Sequence, residues 1–236
     1  MTMYTIKGKT DGFGAQYQSI MSGIAICEYN KCTYLHTPFV KMEHDVNINE
    51  LNAFIGINNN ALNEDDFKIR NDIVVEEYSR VVHNSATPSI YYTGAVIKKI
   101  RDFYYSTEKP KLPDVDIAIH IRRGDVGSGN IRYTGNNIYA CIINSLKLKY
   151  PTYNILIFSE GNIDDFKEFG LDKEHFRLNE DIITTFHSLV CAKILIMSRS
   201  CFSYTSAILN ENTVYYLDFW HKSLDNWLNV NSLIHS

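Results

Sequence analysis

The stretch DVDIAIHIRRGD, residues 114 to 125, holds an apolar, β-branched run that carries His120 and ends abruptly in Arg122, Arg123 and Asp125. Guanidinium groups stay charged at every physiological pH and donate through a planar fork that matches phosphate oxygens. In an open parallel sheet, ligands bind beyond the carboxyl ends of the strands, so two arginines placed there are suited to holding a diphosphate. Successive strand residues point to opposite faces, and Arg122 and Arg123 therefore take different tasks. One meets phosphate while the other pairs with a carboxylate such as Asp125. The same residues also fit a plain salt-bridged strand end. Arg123-Gly124-Asp125 spells a cell-adhesion tripeptide, but so short a pattern is frequent by chance and here directly follows a strand of buried type.

Short apolar runs alternate with longer segments of helical period, which predicts an α/β architecture. Strands are expected at Tyr4 to Lys7, Cys32 to Leu35, Ile73 to Glu76, Ile117 to Ile121, Tyr153 to Phe158 and Thr213 to Leu217. Helices are expected at Gln16 to Tyr29, Ser89 to Tyr104, Asn137 to Lys149 and Thr185 to Met197. STEKPKLPD, residues 106 to 114, interrupts the apolar pattern with Pro110 and Pro113, and divides the chain into domains at 1 to 109 and 110 to 236. Each half reads as a small doubly wound unit, with a nucleotide ligand expected in the cleft between them and the last helix free to pack back on the first domain. The run Asn58-Asn59-Asn60 reads as a loop.

The 236 residues are 45% hydrophobic and 21% charged, a balance that opposes extensive disorder. A net charge of -4 gives no global positive field for nucleic acid or an anionic membrane, so any anion site must be local. Cys27, Cys32, Cys141, Cys191 and Cys201 sit mostly among apolar neighbours and read as reduced, buried thiols. The first residues lack the apolar core of a signal peptide and no apolar run approaches a membrane span, which together predict a cytoplasmic protein.

The hexapeptide His120-Ile121-Arg122-Arg123-Gly124-Asp125 resembles the H-x-R-R-x-D motif of the α1,2-, α1,6- and protein O-fucosyltransferase superfamily. Three further segments follow in that superfamily's order. Asp11-Gly12-Phe13-Gly14-Ala15-Gln16 is similar to its glycine-rich G-x-G-N-Q turn, Phe158-Ser159-Glu160 to its intervening motif, and Phe186 to Leu209 to its third region, a helix followed by a strand and an S-x-F-S turn. The resemblance implies an α/β, GT-B-like fold of two Rossmann-like domains, acceptor-side first and donor-binding second. It also implies an inverting glycosyltransferase that needs no metal or other cofactor and moves fucose from GDP-fucose to a glycan hydroxyl. Cationic arginine can take the part a divalent ion plays in other transferases, neutralising charge on the departing diphosphate.

On this resemblance Arg122 contacts the β-phosphate, His120 positions the nucleotide or pyrophosphate, and Asp125 orients the arginines. Arg123, Ser159, Glu160 and Phe202 complete the donor side. Ser203 and the backbone amides of Tyr204 and Thr205 hold phosphate oxygens if the stretch after Phe202 opens a helix; Ser203, Thr205 and Ser206 acting only as helix caps is the alternative. Gly12 and Gly14 let the first loop approach the donor, and Gln16 is retained from the motif.

Ala15 stands where many superfamily members carry asparagine, which removes a side-chain contact. VGSGNIRYTG, after Asp125, holds no carboxylate, so a base supplied shortly after the motif does not carry over. Asp11, His36 and His44 are the candidates for that base, the two histidines lying on the acceptor side. The chain is short for such a fold, which points to trimmed loops and a small or soluble acceptor. Asp114-Val115-Asp116 precedes its strand, at the end away from expected ligands, and reads as a surface turn rather than a metal site. No G-x-x-x-x-G-K-[ST] occurs. Trp220 and Trp227 fit either stacking on an acceptor sugar or packing of a terminal helix. Two other functions stay open: transfer from a different nucleotide sugar, and a non-catalytic nucleotide-sugar or glycan-binding module.

Overall fold

The structure, a computed structural model, describes residues 3–6, 10–43, 46–57, 73–76 and 80–234. The chain forms two compact units, Met1–Lys109 with Trp220–Leu224, and Pro110–Phe219 with Asp225–Ser236.

In the first unit the order is β1 (Met3–Ile6), α1 (Phe13–Asn30), β2 (Thr33–Tyr34), α2 (Ile48–Ile55), β3 (Ile73–Glu76), α3 (Arg80–His83) and α4 (Gly94–Tyr104). The strands form a parallel sheet in the order β2-β1-β3. The helix expected from Gln16 begins at Phe13, and every residue from Gln16 to Cys27 is buried, polar ones included, while Ala15 is partly open. Two of its serines are met by backbone: Ser19 Oγ donates to Ala15 O at 3.0 Å and Ser22 Oγ to Gln18 O at 2.8 Å. The expected helix from Ser89 begins only at Gly94, behind a 3-10 turn at Pro88–Ile90, where Thr93 caps the backbone N–H of Val96.

The second unit runs β4 (Ile117–Ile121), α5 (Asn136–Lys149), β5 (Ile155–Ser159), β6 (Phe176–Leu178), α6 (Ile182–Cys191), β7 (Ile194–Ile196), α7 (Cys201–Leu209), β8 (Thr213–Tyr216), β9 (Leu228–Asn229) and α8 (Asn231–Ile234). All its strands are parallel, in the order β6-β5-β4-β7-β8-β9. A parallel strand covered on both faces needs apolar side chains on both, and all five residues of β4 are buried. Ile117, Ile119 and Ile121 pack with Tyr139, Ile142, Ile143 and Leu146 of α5. Leu233 of α8 joins this same core, so the last helix, expected to be free to pack on the first domain, is part of the second unit.

The single helix expected from Thr185 to Met197 is two elements. α6 stops at Cys191, Ala192 leaves helical geometry at φ -57 and ψ 135, and Ile194–Ile196 forms β7 beside β4. An apolar run of this length satisfies helical and buried-strand patterns alike. The start of β4 is fixed by Asp116, which accepts from Lys193 Nζ at 2.7 Å and Asn154 N at 3.1 Å, a structural use of the Asp-x-Asp sequence. None of the five cysteines is in a disulfide, but only Cys27 is buried, and Cys141 and Cys191 are exposed, contrary to the expected buried set. Trp227 is buried against Tyr204 and Tyr216, whereas Trp220 is exposed. No helix among the described residues is long and apolar enough to cross a membrane. The Asn58-Asn59-Asn60 stretch lies outside the described residues.

Asn210, buried at the end of α7, ties that helix to the end of α6. Its Nδ2 donates to Leu189 O at 3.0 Å and Ala192 O at 2.9 Å, and its Oδ1 accepts from Asn212 N at 2.7 Å. Asn210→Ala removes the side-chain donor from Leu189 O and leaves Ala192 O with Asn212 Nδ2 at 3.2 Å, and urea melts are expected to show a loss of about 1–3 kcal/mol.

Candidate functional site

The order β6-β5-β4-β7-β8-β9 places a reversal between β4 and β7: from β4 the chain winds outward to β5 and β6, and from β7 it winds the other way. Such a switch point opens a crevice at the carboxyl ends of the two central strands, because the loops leaving them turn apart. The loops here are 122 to 135, after β4, and 197 to 200, after β7.

Arg122 and Arg123 do diverge, as strand alternation requires. Arg122 Nη2 donates to Asp125 Oδ2 at 2.7 Å, with Arg132 Nη1 at 3.8 Å from the same oxygen. Partial burial pushes the Asp125 carboxyl up, but the Arg122 hydrogen bond and the charges of Arg122 and Arg132 outweigh it and hold the group below its ordinary value. The carboxylate partner therefore falls to Arg122, the residue also expected to meet phosphate. Arg123 pairs with no carboxylate among the described residues. Its guanidinium lies 4.3 Å from the Tyr133 ring centre and donates to Arg122 O at 2.8 Å, Thr134 O at 3.0 Å and Asn136 Oδ1 at 2.6 Å. It is fastened into the loop that carries Arg122. Gly124 turns that loop at φ +74, a conformation that only glycine adopts without strain.

His120 is buried, and its Nδ1 makes a 2.8 Å hydrogen bond with Ser198 Oγ, while its ring packs on Phe202. Burial and the nearby Arg122 push its pKa down to about 3, so the imidazole is neutral at physiological pH. It ties the loop after β7 to the end of β4, a structural use beside the role expected from the motif. Phe202 serves the same packing, edge-on to Phe186.

α7 opens at Cys201, with Ser200 as its cap accepting from Phe202 N at 3.2 Å. The Tyr204 amide already donates to Ser200 O, and Thr205 follows it inside the helix, so neither presents an N–H at the helix mouth as expected. Ser203 Oγ is buried among Ser198 N, Ser198 O and Ser200 O, and Thr205 Oγ1 bonds back to Cys201 O. Capping belongs to Ser200, not to Ser203, Thr205 or Ser206. Tyr204 is core, packed on Trp227 and Phe219.

Sequence reasoning missed Arg199. It stands between β7 and α7 and reaches across the switch point, Nη1 donating to Ile131 O at 3.3 Å in the loop after β4. Burial pushes Tyr139 up to about 12, with the charges of Arg123 and Arg199 and a hydrogen bond to Thr134 pulling the other way. The only signal in the sequence is an arginine just past an apolar run that also fits a helix. Arg122, Arg132 and Arg199 thus line one rim, with Asp125 among them, an arrangement able to hold an anion through charge-assisted hydrogen bonds. Ser159 Oγ donates to Ile121 O at 2.9 Å, a buried tie between β5 and β4, while Glu160 is exposed just beyond it.

In the first unit Gly14 is buried inside α1, where it offers a ligand no approach, and Gly12 is the helix cap at an ordinary extended φ of -65. Gln16 Nε2 donates to Asp11 O at 2.6 Å and Lys41 O at 2.7 Å, stapling two loops together. His36 is buried, its Nδ1 without a hydrogen-bond partner among the described residues, and burial pushes its pKa down to about 4. That enclosure removes it from acceptor contact. His44 lies outside the described residues, and Asp11 is exposed. Among the described residues no cluster of His, Cys, Asp and Glu is arranged to hold a metal ion.

No family model matches the chain. No curated protein matches it either. Among solved structures, the chain is similar to Escherichia coli heptosyltransferase WaaC with ADP-2-deoxy-2-fluoro heptose, at a TM-score of 0.44 and 9% identity over 97% of this chain and 92% of that one. WaaC with ADP gives a TM-score of 0.45 and 9% identity over 100% of this chain and 96% of that one.

The neutral His120 has a consequence for stability. With a folded-state pKa of about 3 against an ordinary 6.5, the unfolded chain binds the extra proton, so stability is full above about 6.5 and falls as pH drops toward 3. One such histidine contributes a slope on the order of 1.4 kcal/mol per pH unit. His120→Asn is expected to flatten the dependence between about pH 6.5 and 5 by that amount in urea melts; an unchanged slope would mean the imidazole is not held neutral.

Proposed function

We propose that this chain is a glycosyltransferase that takes a sugar from a nucleoside diphosphate sugar, with Arg122 holding the diphosphate at the β4–β7 switch point. The observation that carries this reading is the placement of Arg122 itself: an arginine on the carboxyl end of the central strand, aimed by Asp125, in a loop made rigid by Arg123. A nucleotide-binding crevice in a parallel sheet lies there, and a charged donor fixed in advance loses little on meeting a departing diphosphate.

In the reaction the acceptor oxygen attacks the anomeric carbon on the face opposite the diphosphate, the bond from that carbon to the phosphate oxygen breaks, and the configuration inverts. Arg122 neutralises the charge that gathers on the β-phosphate, so the proposal needs no metal ion. The acceptor hydroxyl gives its proton to a base. Of the three candidates, Asp11 alone is exposed among the described residues.

The hexapeptide supports GDP-fucose as donor and a glycan as acceptor. A second reading, transfer from another nucleotide sugar through the same arginine, is favoured by His120: the motif's histidine is committed to Ser198 and Phe202, which leaves donor identity to residues outside the motif.

A thermal-shift panel of GDP, ADP, UDP and dTDP, each with its sugars and all in EDTA, tests both. A ligand at a hundred times its Kd stabilises by about 2.7 kcal/mol, or several degrees at this chain length. Stabilisation by GDP and GDP-fucose that Arg122→Ala weakens by about 10- to 100-fold in affinity is the expected outcome. Stabilisation by a different nucleotide moves the donor to the second reading, and no shift with any of them removes the transferase proposal. Turnover is expected to survive EDTA and to fall at least about 100-fold in Asp11→Asn, as loss of a general base does.

A further inference from the structure

We propose that Glu160 is the residue that reads the ribose of the bound nucleotide, its carboxylate accepting hydrogen bonds from the 2′- and 3′-hydroxyls. The inference rests on the nucleotide site proposed above and adds the discrimination between ribose and deoxyribose.

Register comes first. The β4–β5 ladder ends with Ile121 opposite Ser159, so Arg122 and Glu160 are the next residues on neighbouring strands. Neighbouring strands lie about 4.8 Å apart. A ribose is joined to its β-phosphate through the α-phosphate, the 5′-oxygen and one methylene, a path long enough for a β-phosphate at Arg122 to leave the sugar ring over the end of the neighbouring strand, β5. The acid also occupies a telling position in the sheet. Counted outward from the switch point, β5 is the second strand of a 3-2-1-4-5-6 order, the strand whose acidic end receives ribose hydroxyls in dinucleotide-binding folds.

The local structure is built to hold this carboxylate. A Cβ on Gly124 would stand 2.1 Å from Glu160 Oε2, so the carboxylate lies directly over the glycine of the Arg122 loop, in space that any other residue would fill. The backbone beneath it is pinned from several sides. Ser159 Oγ is 3.1 Å from Glu160 O, and the Asn179 side chain clamps Gly161 at both groups, accepting from its N–H at 3.0 Å and donating to its carbonyl at 2.9 Å. Gly161 at φ +112 and Asn179 at φ +55 both adopt positive-φ geometry to make the clamp. Arg122 pairs with Asp125 instead of Glu160, and no cation among the described residues forms an ion pair with Glu160. An exposed acceptor is thus held beside the phosphate-facing arginine without being consumed by it.

Calorimetric titration of the full chain with two matched pairs, GDP against 2′-deoxy-GDP and ADP against 2′-deoxy-ADP, tests this, with inorganic pyrophosphate as a probe that has no ribose. Wild type is expected to bind the ribonucleotide of its preferred pair about tenfold or more tightly than the deoxy form, since a charged acceptor left without its donor is costly. Glu160→Gln keeps the shape of the side chain and Glu160→Ala removes it. Both are expected to abolish the preference for the ribonucleotide, to weaken the 2′-deoxynucleotide less than the ribonucleotide because it retains only the 3′-hydroxyl, and to leave pyrophosphate affinity within about twofold of wild type. Equal binding of ribo and deoxy forms by wild type overturns the proposal, as does a variant that weakens all three probes alike or one that binds as wild type but loses turnover. If no nucleoside diphosphate binds the wild-type chain, the transferase reading fails and this inference fails with it.

Discussion

The hydrogen bond between His120 and Ser198 joins the two strands between which the chain reverses its winding. It is buried, so water does not compete for it, and in a low-dielectric setting it is stronger than its surface equivalent. Ser198 in turn is bound through its backbone N–H to Ser203 Oγ, which carries the same tie into the first turn of α7. Arg122 lies two residues beyond His120, Arg199 one beyond Ser198, and the Ser200 cap one further. The rim therefore inherits its spacing from a buried contact. A histidine that reads as a ligand contact in the motif is bonded to Ser198 and packed on Phe202, and it holds the loops after β4 and β7 in register.

Charge is distributed on the same principle. The chain carries a net charge of -4, yet Arg122, Arg123, Arg132 and Arg199 gather on the loops after β4 and β7. Such a concentration creates a local positive potential on a globally acidic protein. Arg123 spends its donors on backbone and on Asn136, so it supplies rigidity, while Arg122 keeps a single carboxylate partner that an anion can rival.

Much of this is legible in the residues. β3 and β4 fall where their β-branched runs put them, and α5 differs from its expected span by one residue. The abrupt end of an apolar strand marks the rim's central arginine. What the residues conceal, they conceal for physical reasons. β7 has three residues and continues the apolar run of α6, so no periodicity separates them, and Arg199 is hidden with it. β6 and β9 are too short to show a pattern. Burial of His120, Gln16 and His36 depends on which loops fold over them, and residue type alone gives both the buried and the exposed reading.

The six-stranded sheet ends on one side in β6, of three residues, and on the other in β9, of two. A margin that brief offers an approaching strand only a few open amides and carbonyls, and the exposed Asn229 adds a polar side chain there. Long, flat margins are the templates on which sheets of different molecules fuse. This unit thus combines a strongly apolar interior with little opportunity for edge-to-edge aggregation.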